Sequence, residues 1–206
     1  LGWALDDVGR TEEAVAQYRA ALAIRPDDPI AAANVGIYLA RRGDHAAAEP
    51  LLVTAVRGVP DSAVPLFYLG DVRMRQGRVD EAIAHYEAAQ RLMPMYADIH
   101  YNLGLAYSAQ RRYEKAREAY EMAVRLAPGD SDAQTNLGVV LMQLGRYEEA
   151  VARYRIALRL RPDDDLAYQN LAQALERLGR RAEAAAARAE GTRILRERRI
   201  RHPSFG

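Results

Sequence analysis

Prolines recur at a fixed step along this chain: Pro26, Pro60, Pro94, Pro128 and Pro162 stand 34 residues apart. Nine prolines occur in 206 residues, so five in one register mark an internal repeat. Two glycine series keep the same step. One is Gly2, Gly36, Gly70, Gly104 and Gly138; the other is Gly9, Gly43, Gly77, Gly145 and Gly179, with Arg111 standing where a glycine would fall. A period of this length with proline and glycine punctuation specifies stacked helical hairpins, each resting on its neighbours instead of on one central core.

The stretch Ser131 to Asp164 shows how one period folds. Asp130 or Ser131 is placed to cap a first helix by accepting from its free amides. Leu137, Val140, Leu141 and Leu144 fall at helical spacing and predict its buried stripe. Gly145 then takes the position past the helix end, where positive φ penalises any Cβ. A second helix is predicted from Arg146, with Ala150, Val151, Tyr154, Ala157, Leu158 and Leu160 turned inward. Acid pairs at the second-helix starts (Glu12–Glu13, Asp80–Glu81, Glu148–Glu149) and arginines at the ends (Arg57, Arg91, Arg125, Arg159, Arg193) complement the helix dipole. Pro162 stops the helix.

Small residues hold the register elsewhere. Ala14, Ala48, Ala82, Ala116, Ala150 and Ala184 share one position; Ala21, Ala55, Ala89, Ala123, Ala157 and Gly191 share another. Tyr18, Tyr86, Tyr120 and Tyr154 occupy an aromatic position from which Leu52 and Arg188 depart. With these residues the unit resembles the tetratricopeptide repeat (TPR), and the resemblance covers nearly the whole chain. It implies an all-α, right-handed superhelical solenoid of antiparallel helix–turn–helix hairpins. Residues 29–62, 63–96, 97–130, 131–164 and 165–198 are read as five units. Residues 1–28 are the remains of a truncated first unit, and 199–206 a C-terminal tail. The unit 29–62 carries Pro50 inside its second helix, where it removes a hydrogen bond and is expected to kink it. The polar packing face around Arg188 gives the last unit the character of a cap.

Composition removes several classes of function. The chain has no cysteine, which excludes disulfides and thiolate metal sites but leaves the compartment open. Its apolar runs fall far short of a membrane span. The four histidines, His45, His85, His100 and His202, have no partners at metal-ligand spacing, and His85 is expected at the surface. No phosphate-binding glycine loop or nucleophile elbow appears. The reading is a non-catalytic chain without cofactor or metal. Charge is uneven: from Leu175 onward nine Arg meet four Glu (+5), while residues 1–174 hold 20 basic and 24 acidic groups (−4). The arginines from Arg193 to Arg201 raise nucleic acid as a partner, but stacking aromatics are nearly absent there, with only Phe205 nearby. The reading is a solvated cap helix.

In the TPR family the first helices line the concave face and receive a peptide. Carried over by position, that face holds Asn34, Asn102, Asn136 and Asn170, a series interrupted by Tyr68. This series resembles the asparagine ladder of O-GlcNAc transferase superhelices, which implies side-chain amides gripping a ligand's main chain through donor and acceptor together. The competing reading is that each Asn ties neighbouring repeats. Phe67, Tyr101, Ile37, Met74, Leu105, Val139 and Met142 add apolar surface; Asp71, Asp98 and Asp132 oppose Arg41, Arg75 and Arg177. The positions that carry basic residues in carboxylate-clamp TPR co-chaperones hold Ile30, Val64, Asp98, Asp132 and Leu166, which argues against such a clamp. The expected function is a protein–protein interaction scaffold binding a peptide or protein segment in its concave groove. Two alternatives stay open: the TPR arm of a larger enzyme, such as a glycosyltransferase, with its chemistry upstream of Leu1, or an assembly module that self-associates through the truncated N-terminal edge.

Overall fold

The computed structural model describes residues 11–201. Among them every regular element is an α-helix: α1 (Thr11–Ile24), α2 (Pro29–Arg41), α3 (His45–Gly58), α4 (Ala63–Arg75), α5 (Val79–Leu92), α6 (Ala97–Ala109), α7 (Tyr113–Leu126), α8 (Ser131–Gln143), α9 (Tyr147–Leu160), α10 (Asp165–Arg177) and α11 (Arg181–Arg201). Gly2, Gly9, His202, Phe205 and the N-terminal edge at Leu1 lie outside the described residues. The chain forms two compact units, residues 1–102 and 103–206. In the first, α2 pairs with α3 and α4 with α5, and α4 also packs on α2 and α3. In the second, α8 pairs with α9 and α10 with α11, while α8 rests on α7 and α10 on α9.

Helix ends follow from the punctuation. Asp28, Asp44, Asp130 and Asp164 accept from first-turn amides at 2.9–3.1 Å. Asp130, not Ser131, is therefore the cap of α8. The second helices α5, α9 and α11 open differently. There Arg78, Arg146 and Arg180 each grip a glutamate three residues on, Glu81, Glu149 and Glu183, through two N–H···O bonds of 2.6–2.8 Å. Gly43, Gly77, Gly145 and Gly179 lie between the paired helices at φ +74° to +83°, and Arg111 occupies the same site at φ +57°.

Packing is carried by a small-to-large fit. Ala48, Ala82, Ala116, Ala150 and Ala184 are at most 1% exposed. A Cβ added to Gly70, Gly104 or Gly138 would stand 2.6 Å from the ring of Tyr86, Tyr120 or Tyr154 respectively. Each tyrosine, 1% exposed, thus fills the space that its glycine vacates. Leu52 does the same work less tightly against Gly36, and joins Leu69, Val72, Ala40 and Ala48 in one buried cluster.

Three expectations are corrected. Leu160 is 43% exposed instead of inward: its side chain lies in the last turn of α9, past the buried Leu158. Arg193 is not at a helix end, because α11 continues to Arg201; it sits between Glu190 and Glu197 and pairs with both. His85 is half-buried, and that burial holds its imidazole below the usual range. Pro50 lies inside helix α3, as its position in the repeat implied, and its carbonyl accepts the Thr54 hydroxyl at 3.0 Å.

Candidate functional site

The asparagines share a repeat position but not an environment. The Asn34 amide turns back onto its own helix and donates to the Ile30 carbonyl at 2.8 Å. Asn102 donates to Asp71 Oδ1 at 3.0 Å, across from one first helix to the next. Asn136 is half-buried and already engaged. Asn170 is half-buried and lines an open cleft.

In the first unit the aromatic residues cluster. The ring of Phe67 meets Tyr68 edge-on at 5.4 Å, Tyr86 at 5.9 Å and Tyr96 at 6.2 Å. Tyr68 packs on the buried cluster, so it and Phe67 serve the core while keeping part of their surface open. Beside them lies Asp71, whose Oδ1 takes two donors: the Tyr86 hydroxyl at 2.6 Å and Asn102. Burial pushes the Asp71 carboxyl from 3.8 up to about 6; the Tyr86 bond and Arg75 oppose the rise, and Asp98 adds to it. The Tyr86 hydroxyl is driven up by its own burial and then by Asp71. Arg41 on α2, Arg75 on α4 and Asp98 on α6 are exposed, and Tyr101 is half-buried. Tyr96 bonds Asp98, a contact that sequence spacing did not suggest.

In the second unit Asp132 pairs with Arg161 at 2.5 Å, not with a first-helix arginine. The cleft of about 410 Å³ lies between α8, α9 and α10, a volume ordinary for a ligand site. It brings together four residues expected on the face: Val139, Met142, Asn170 and Arg177. Gln143, Tyr147, Tyr154, Gln173 and Glu176 complete the lining and were missed. Tyr154 was missed because its register reads as pure packing. The available signal was Val139, which stands two 34-residue steps after Asp71 and leaves the tyrosine hydroxyl without its carboxylate.

At the basic end, Arg198 donates to the Asp163 carbonyl and pairs with Asp165, both at 2.8 Å, and Arg188 pairs with Glu176. His100 is buried, donating from Nε2 to the Pro94 carbonyl at 2.7 Å while Nδ1 accepts from Gln90 at 3.2 Å. Both its nitrogens are spent on structure. Among the described residues no group of three or more His, Asp or Glu is placed to hold a metal ion, and no helix is long and apolar enough to cross a membrane.

Stacked helix pairs presenting an open face of mixed polarity define a scaffold for protein interaction. The family models agree: Tetratricopeptide repeat matches residues 1–63 and 67–131, a second Tetratricopeptide repeat model matches 109–156, and a TPR repeat model matches 140–179. This chain belongs to the tetratricopeptide repeat family. No curated protein matches it in sequence. Among solved structures it is similar to MamA, with 24% identity over 80% of this chain and 96% of that one and a TM-score of 0.75. It is also similar to YrrB, described as a TPR protein with an unusual peptide-binding site, with 20% identity over 91% and 93% and a TM-score of 0.78. At these identities the likeness is one of fold.

Proposed function

We propose that this chain is an interaction scaffold that receives an extended protein segment along the face built by its first helices. The observation that carries the reading is the cleft at Asn170, where amides from α8 and α10, an apolar strip and a cation meet in one open lining. Gln143, Asn170 and Gln173 each offer a donor and an acceptor, which suits a peptide main chain of any sequence. Val139 and Met142 offer apolar contact to its side chains. The peptide-binding site ascribed to the similarly folded YrrB is consistent with this use of the fold.

The test is to pan a random peptide library on the full chain and titrate the selected peptides by fluorescence anisotropy. Asn170→Arg fills the cleft and should abolish binding, while Arg159→Ala, on an exposed second-helix turn, should leave it unchanged. Affinity insensitive to Asn170→Arg, or failure to select any peptide, would overturn the reading.

A further inference from the structure

Asp71 shows what this face does with a carboxylate. The carboxyl oxygen sits between the Tyr86 hydroxyl and the Asn102 amide and accepts from both. The second unit repeats the two donors and omits the acceptor. Tyr154 stands two 34-residue steps after Tyr86, Asn170 two steps after Asn102, and Val139 two steps after Asp71.

The tyrosine seats match. Cε1, Cδ1 and Cζ of Tyr86 lie 2.6, 2.7 and 3.1 Å from a Cβ built on Gly70; those of Tyr154 lie 2.6, 2.9 and 2.9 Å from one built on Gly138. The same ring placement carries the Tyr154 hydroxyl toward Val139, as Tyr86 is carried toward Asp71. Yet Tyr154 is 1% exposed and its hydroxyl has no hydrogen-bond partner among the described residues. Tyr154 lines the cleft, so its unengaged hydroxyl is a donor within reach of a ligand there. Asn170 likewise makes no side-chain bond among them, and both residues line the cleft. Arg177 joins that lining without an ion pair among the described residues, whereas Glu176 is taken by Arg188.

Resting on the groove reading above, we propose that the Tyr154–Asn170–Arg177 cleft is a carboxylate subsite, taking the side chain of an aspartate or glutamate within the bound protein segment. The ligand's carboxylate supplies the acceptor that Asp71 supplies internally in the first unit. A carboxylate has lone pairs enough for the hydroxyl, the amide and the guanidinium at once, and its bonds to them are charge-assisted. Gln143 and Gln173 stand in the same lining and bracket a main chain that continues past the acid, which favours an internal side chain over a chain terminus.

The probes are peptides selected on the full chain, each remade with its acids changed singly to the matching amide and with its C-terminus amidated. One acid-to-amide change should weaken binding to the unaltered chain by about ten-fold or more. The same change should have little effect on chains carrying Tyr154→Phe or Arg177→Ala, and C-terminal amidation should have little effect on any. Val139→Asp supplies the missing acceptor from within; it should retain the melting temperature and lose the acid-dependent affinity. The inference is overturned if the loss is equal in all chains, if selected peptides bind without an acid, if only amidation matters, or if Val139→Asp binds as before. Peptides that need Asn170 but no acid would sink this inference and leave the groove reading standing; peptides indifferent to Asn170→Arg would sink both.

Discussion

Glu49 and Arg73 form an ion pair in a slot where three other repeats place apolar side chains on both sides and one, with Arg117 opposite Leu141, places a single cation. The same offset of 24 residues joins Val15 to Leu39 and Val151 to Leu175. Arg73 is 7% exposed, and its other carboxylate partner among the described residues is Glu81, at 3.5 Å from Nε. Glu49 is better supplied, by Gln76 and by Arg78 at 3.2 Å. The hydrogen bonds from Gln76 and Arg73 hold its carboxyl below the usual range.

The pair is therefore asymmetric. Glu49→Val strands a buried guanidinium and should cost about 2–4 kcal/mol, close to the usual penalty for breaking a buried pair. Arg73→Leu leaves Glu49 its two other partners and should cost less. The double change restores the apolar slot and should return stability to the starting value or above it. Urea midpoints of the four proteins check this; a double variant no more stable than Glu49→Val would show that the slot is not equivalent to its apolar counterparts.

Alanine is ordinarily the better helix residue than glycine by about 1 kcal/mol. At Gly104 and Gly138 the sign should reverse. The new Cβ would stand 2.6 Å from a tyrosine ring carbon, and the ring is fully buried and has nowhere to go. Overpacking of this kind costs roughly 1–3 kcal/mol. Gly129 has no atom within 4 Å of such a Cβ and an ordinary φ, so Gly129→Ala should be neutral or slightly stabilising. Thermal melts of the three variants decide it, and equal melting temperatures would refute the small-to-large fit.

The repeat, the helix pairs and the glycine turns were legible because each depends on one residue type at one spacing. Proline after the helix, glycine past its end and alanine at the close approach are local steric demands, so they print directly in the sequence. The face was legible only in outline. Asn34, Asn102, Asn136 and Asn170 look alike in sequence, yet their partners are set by what stands 31 residues before or four residues back. The Asp71 bridge needs Tyr86 and Asn102 to converge from two other helices, which no single period displays. Leu160 misled for a simpler reason: helical spacing marks a stripe, but the last turn of a helix can leave its partner behind.

Arg111 is the one non-glycine residue at positive φ among the described residues. Its side chain is exposed, so the left-handed backbone is held without side-chain burial in return. Arg111→Gly relieves the Cβ clash and should stabilise by roughly 0.5–1 kcal/mol, less than the full left-handed penalty because glycine loses more freedom on folding. Denaturant unfolding is the check. A destabilised variant would mean that the Arg111 side chain contributes more than its exposure indicates.

Asp71 should give the chain a pH dependence of unusual sign. Its carboxyl titrates near 6 when folded and near 3.8 when free, so between those values the folded state holds the extra proton. Stability from this residue is thus present at low pH and declines as pH rises from about 4 to about 6, after which it is level. About two pKa units correspond to roughly 2–3 kcal/mol. The salt-bridged acids run the other way, since partners hold Glu81, Glu149 and Glu183 low. The residue is isolated by comparison with Asp71→Asn, which keeps an acceptor for Tyr86 and removes the ionisation. Unfolding free energies of both proteins are measured from pH 4 to pH 7. Relative to Asp71→Asn, the unaltered chain should lose ground across that interval and then run parallel. A constant difference would mean that Asp71 ionises as freely folded as unfolded, and that the Tyr86–Asp71–Asn102 bridge carries a full charge throughout.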